Sequence, residues 1–237
     1  MRLRESSSRA SRSRIVRPSP HARLIACQTV SEALRGQIPA GVDQTTLEFG
    51  LHQSPELLRK RLQEEIDRSA PGVECIILGY GMCGNGALGL KARHARLVIP
   101  RCDDCIAMFL GSRHEYARQR EIALGTFYLT RGWIEYGGDP YSEYLKMAER
   151  YGPERALRLE KQIMQNYTRL ALIDMGDLED RHRAYARKVA DFWGWTLEEI
   201  SGSHALLQRL LSGDWDGQFV VVEPGAQVEL EMFVQFH

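Results

Sequence analysis

The sequence has no net charge: 31 Lys and Arg stand against 31 Asp and Glu in 237 residues. Without a surplus of either sign, electrostatics gives no case for nucleic acid or a membrane surface as partner of the whole chain. Long apolar runs are missing too. None approaches the roughly 18 residues of a membrane span, and the N-terminus lacks the apolar core of a secretory signal. Cysteine is scarce and odd in number, with five in all. They cluster around loops, which argues against a disulfide framework and for reduced thiols in a cytoplasm. No internal repeat is visible.

What is present is ordinary globular material, 43% hydrophobic and 26% charged, enough to bury a sizeable core. Residues 1–20 stand apart. They hold Arg2, Arg4, Arg9, Arg12, Arg14 and Arg17 against the single acid Glu5, and read as a disordered Arg/Ser-rich tail. Residues 21–237 read as one α/β domain whose spacing allows two lobes divided near 125–140.

Short apolar runs at 22–27, 75–78, 97–99, 125–130, 170–174, 195–200 and 219–222 read as strands, with a marginal one at 45–49. Helical periodicity separates them. One helix begins with Ser54 as cap, Pro55 in the first position and Glu56 on the dipole. Its apolar stripe is Leu57, Leu58, Leu62 and Ile66. Further helices are expected at 113–120, 141–150, 153–167, 181–193 and 204–211. A short one is expected near Ala87 to Lys91, a loop at Arg131-Gly132-Trp133, and an edge strand over Gln227 to Phe236. The alternation predicts mainly parallel sheets with helices on both faces, in two Rossmann-like halves around a cleft.

In such folds ligands bind beyond the carboxyl ends of the strands. The polar residues there are Cys27, His52, Cys83, Cys102 and Cys105. Thiolates with imidazole suit zinc best, with iron the alternative. Cys75 lies inside a strand and reads as packing. His94, His114, His182 and His237 read as surface residues. Arg101, Asp103, Asp104 and Arg131 carry charge near the same rim, and Arg101 and Arg131 are candidates to orient a small-molecule substrate. Gly79-Tyr80-Gly81-Met82-Cys83-Gly84 spells G-x-G-x-x-G, but the next strand ends in Pro100-Arg101 without the ribose-binding acid of a dinucleotide site.

Several motifs together carry a family resemblance. They include Leu24-Ile25-Ala26-Cys27, Leu51-His52-Gln53-Ser54-Pro55-Glu56, Gly79-Tyr80-Gly81-Met82-Cys83-Gly84, Ile99-Pro100-Arg101-Cys102-Asp103-Asp104-Cys105 and Gly125-Thr126-Phe127-Tyr128-Leu129-Thr130-Arg131-Gly132-Trp133. Over residues 22 to about 225 the chain resembles the domain of unknown function 1638 family. That family's name carries no activity. The resemblance implies a shared site at Cys27, His52, Cys83 and Cys105, and an association with corrinoid-dependent methyl-transfer systems. Many members look like C-H-D-C where this chain has Cys102-Asp103-Asp104-Cys105, which weakens Asp103 and Cys102 as ligands relative to Cys105.

Three functions follow as expectations. The first is a metal-binding protein, with zinc on Cys27, His52, Cys83 and Cys105, acting as a metal-dependent transferase or lyase on a small molecule. Cys102 is the reserve ligand. The second is a cofactor-free thiol enzyme, because Cys27-Gln28-Thr29 is similar to the Cys-Asn-Thr of aspartate/glutamate racemases; it needs one cysteine from each half as paired acid and base. The third is a non-catalytic accessory protein whose partners are corrinoid or methyltransferase pathway proteins. Self-association as a homo-oligomer stays open.

Overall fold

The structure, a computed structural model, describes residues 21–234. The expectation of a disordered tail at 1–20, like His237, lies outside the described residues. The chain forms two sheets. The larger contains β1 (Ala22–Cys27), β2 (Asp43–Leu47), β3 (Cys75–Gly79), β4 (Arg96–Pro100) and β8 (Phe219–Val222), in the order β2-β1-β3-β4-β8. Its first four strands are parallel and β8 runs antiparallel to β4. The smaller holds β5 (Thr126–Leu129), β6 (Arg169–Asp174) and β7 (Thr196–Ser201), parallel and in sequential order. The fold is therefore mixed α/β with mainly parallel sheets, as the sequence pattern implies.

Side-chain alternation explains why the larger sheet is covered on both faces. Leu24, Ala26, Cys75, Ile77 and Val98 point into one core. Ile25, Ile76, Leu78, Leu97 and Ile99 point into another. The first core continues into the smaller sheet through Tyr128, Leu129, Leu170 and Ile173, so the two sheets share one apolar interior. The second is closed by α2 (Pro55–Asp67), whose Leu58, Leu62 and Ile66 are fully buried. Each contributes about 1.5–3 kcal/mol of apolar burial. Leu57, expected on the same stripe, is 45% exposed; it falls on the outer flank once Leu58 and Leu62 face the sheet.

The strand order creates a crevice. After β1, the helix α1 (Gln28–Ala33) leads to β2 on one side; after β2, α2 leads across to β3 on the other side of β1. The connections diverge between β1 and β3, the position where open α/β sheets bind ligands. The smaller sheet's connections supply the opposite wall. There α5 (Arg131–Tyr136) follows β5, and a helical hairpin of α6 (Pro140–Tyr151) and α7 (Pro153–Met164) precedes β6. The remaining helices are α3 (Ile106–Leu110), α4 (Arg113–Ile122), α8 (Asp180–Trp193) and α9 (Ala205–Ser212).

Three local expectations are corrected. No helix forms near Ala87 to Lys91; the segment is a series of turns, because Cys83, Gly84, Asn85 and Gly89 take positive φ. Arg131-Gly132-Trp133 is helical rather than a loop, and Gly137 ends that helix in the left-handed region. Within the described residues, the expected edge strand after Gln227 reduces to a single bridge between Lys91 and Gln227 and a short 3-10 turn at Leu230–Met232. No helix among the described residues is long and apolar enough to cross a membrane.

Candidate thiol-lined site

A cavity of about 590 Å³ lies between the ends of β1, β3 and β4 and the α6–α7 hairpin. Cys27, His52, Cys83 and Cys105 all line it. Cys27 is the last residue of β1 and precedes α1, with its Sγ 3.1 Å from the Thr29 hydroxyl. His52 sits on a 3-10 turn at Leu51–Gln53 that joins β2 to α2. Cys105 precedes α3 in the loop after β4.

Cys83 is held by a tight clasp. The Met82 and Cys83 N–H groups donate to the carbonyls of Cys102 and Asp103, each at 2.8 Å. The loops after β3 and β4 therefore run against each other, which brings Cys83 and Cys105 to the same wall. Gly81 permits this approach. A Cβ there would stand 2.7 Å from the Cys102 carbonyl oxygen and 2.9 Å from its Sγ. Cys83 itself has φ 46°, a conformation costing about 1–2 kcal/mol for a side-chain-bearing residue. The two inter-loop hydrogen bonds hold it there.

The electrostatics are those of clustered neutral thiols. Burial raises the Cys27 thiol above its ordinary value despite its hydrogen bond to Thr29. Cys83 is pushed up to about 12, first by burial and then by the neighbouring Cys27 charge. Cys105 is raised well above its ordinary value by burial and then by Cys27 and Cys83. Each thiol thus opposes ionisation of the next. At the rim, desolvation holds the His52 imidazole below its ordinary value, partly offset by Asp104. None of the five cysteines is in a disulfide.

The other expected residues go elsewhere. Cys102 is 3% exposed and packs against the Gly81 turn, outside the cavity lining. Cys75 is buried at the start of β3, away from the ligand-binding strand ends. Asp103 is exposed. Arg101 does not line the cavity; it donates to the Phe219 carbonyl at 3.2 Å, turned aside by β8. Arg131 is also outside the lining, 3.6 Å from Glu32 and 3.9 Å from Glu135. His182 is not a surface residue. It is 1% exposed, its Nδ1 accepts from the Glu179 N–H at the start of α8, and its Nε2 lies 2.9 Å from Glu135.

Two further groups at the site carry weight. Asp104 lines the cavity, accepts from the Ile106 N–H at 2.9 Å and the Tyr116 hydroxyl at 2.8 Å, and so fixes the start of α3. Tyr80 is 3% exposed, lines the cavity, and its buried hydroxyl has no hydrogen-bond partner. An unpaired buried hydroxyl costs on the order of 1–3 kcal/mol. The acids Glu143 and Glu160 on the hairpin also face the cavity. Sequence reading missed them; the available signal was Glu160 lying four residues after the buried Ala156, on an otherwise apolar helix face.

A family model described as "Protein of unknown function (DUF1638)" matches residues 46–211. The chain belongs to the DUF1638 family. The match covers His52, Cys83 and Cys105 and begins after β1 and Cys27. No curated protein and no solved structure matches the chain.

As the side chains stand, no group of three or more His, Cys, Asp or Glu among the described residues is disposed to hold a metal ion. Ligation by the cavity thiols requires them to turn toward one another. The donor chemistry nonetheless suits a thiophilic cation. Thiols that resist ionisation because of burial and each other are the groups whose deprotonation a divalent metal drives.

Proposed function

We propose that this DUF1638 protein binds a metal ion, zinc by preference and iron as the alternative, through Cys27, Cys83 and Cys105 with His52 at the rim. One observation carries the reading: three unpaired thiols from three adjacent strand ends line one cavity at the sheet's crevice. The cavity is large enough for a small organic substrate beside the thiols. The protein is therefore read as a metal-dependent transferase or lyase acting on a small molecule in a reducing compartment, the cytoplasm. Bound there, the metal would supply Lewis acidity and hold thiolate charge at neutral pH. The chain's own groups then position the substrate: Asp104 fixes the α3 turn, and Tyr80 offers an unspent hydroxyl.

A cofactor-free thiol enzyme is the weaker reading. All the cysteines lining the cavity come from the larger sheet, whereas paired acid and base chemistry needs one from each half. Burial also pushes the Cys83 and Cys105 thiols up, the direction opposite to the one a metal-free thiolate base needs.

Elemental analysis of the purified protein tests the proposal. The wild type should carry about one zinc or iron per chain, and Cys83→Ser and His52→Ala should each lose a large share of it. Metal content unchanged in both variants would rule the site out.

A further inference from the structure

The cavity has a second wall whose chemistry differs from the thiol wall. Glu143 on α6 and Glu160 on α7 face into it, with Met147 and Met164 beside them. Phe127 and Tyr167, in edge contact at 5.7 Å between ring centroids, line the same side. Among the described residues no Lys or Arg lines the cavity, while Glu48, Asp104 and Asp139 add to its acids, Asp139 being committed to the Tyr141 and Ser142 N–H groups and the Tyr185 hydroxyl.

The acids are not equivalent. Asp104 is committed to the Ile106 N–H and the Tyr116 hydroxyl. Glu48 reaches Arg61 at 3.5 Å, and Glu143 reaches the exposed Lys146 at 2.7 Å. Glu160 is 4% exposed, its carboxylate takes part in no hydrogen bond or ion pair among the described residues, and its oxygens open onto the cavity and are not sealed in the core. A carboxylate in that setting is costly unless it is paired or protonated. Its pKa is raised, first by burial and then by Glu143. An N–H-bearing cation would relieve both effects. A quaternary ammonium has no N–H to give, and an anion would meet only like charge.

We propose that this wall binds a protonated organic amine, its ammonium donating to Glu160 beside Glu143 and its carbon body lying against Phe127 and Tyr167. This names the substrate class for the same cavity. It rests on the small-molecule reading of that cavity and not on the metal. Aromatic faces reinforce such a choice, since ammonium groups are attracted to them.

Isothermal titration of the full chain with phenethylamine, n-butylamine and cadaverine, each beside an uncharged alcohol of matching shape, tests this. At least one amine should bind about tenfold more tightly than its alcohol, a difference near 1.4 kcal/mol. Glu160→Gln should abolish that preference while the protein still unfolds cooperatively; Phe127→Leu should weaken binding several-fold. Alcohols binding as tightly as the amines, no amine binding, or a preference that survives Glu160→Gln would each overturn the proposal. Repeating the titration on Cys83→Ser separates the two readings. Amine binding should persist there even though metal is lost, and if metal is absent from every form the amine result still stands on its own.

Discussion

At the scale of single residues, the site depends on how closely two loops approach. Gly81 leaves room for the Cys102 carbonyl, and the paired hydrogen bonds at Met82 and Cys83 then fix Cys83 in a left-handed conformation. Gly81→Ala puts a methyl group into backbone, which cannot yield as a flexible side chain would. The expected cost is about 1–3 kcal/mol, seen as a lower thermal midpoint, with a matching loss of bound metal. An unchanged midpoint and metal content would show that the loops have slack. Cys27 ends a strand and His52, Cys83 and Cys105 follow strands, so their placement at the cavity wall was legible from strand boundaries alone. Arg101 also follows a strand and still turns away. Its partner is the carbonyl of Phe219, 118 positions later, and nothing local in the sequence announces that β8 will lie there.

At the scale of elements, the α6–α7 hairpin supplies the wall that sequence reading did not anticipate. Periodicity found both helices, because Pro140 and Pro153 open them and apolar residues recur along one face. It did not show what that face meets. Leu159 and Ile163 are 38% and 60% exposed, while Glu160 is buried, the reverse of a simple amphipathic assignment. The hairpin packs chiefly on itself, and its inner side forms a cavity instead of core. Glu160 gives this element a pH signature. Its folded-state pKa lies above the ordinary glutamate value of 4.5. Between the two values the folded chain holds a proton that the unfolded chain has released. Stability is therefore greatest below the unfolded value and falls as pH rises through the folded one. Denaturant unfolding across that range should show a shallower decline for Glu160→Gln, and a more stable variant at neutral pH. Equal slopes for wild type and variant would mean that Glu160 is paired after all.

At the scale of the whole molecule, two mainly parallel sheets share one apolar core and leave a crevice where the connections of the larger sheet diverge. The α/β class and mainly parallel pairing were legible from the alternation of strands and helices. The strand order was not, because β3 and β8 take their positions through long-range packing that no local pattern encodes. That order matters for function: it places Cys27 beside the β3 loop, so thiols 56 residues apart in sequence share one wall. Whether those thiols ligate a metal is most directly read by X-ray absorption at the zinc edge on protein purified from zinc-supplied medium. The account predicts zinc bound to the chain with a first shell dominated by sulfur at about 2.3 Å. A shell of nitrogen and oxygen alone, or protein that retains no zinc, would contradict it.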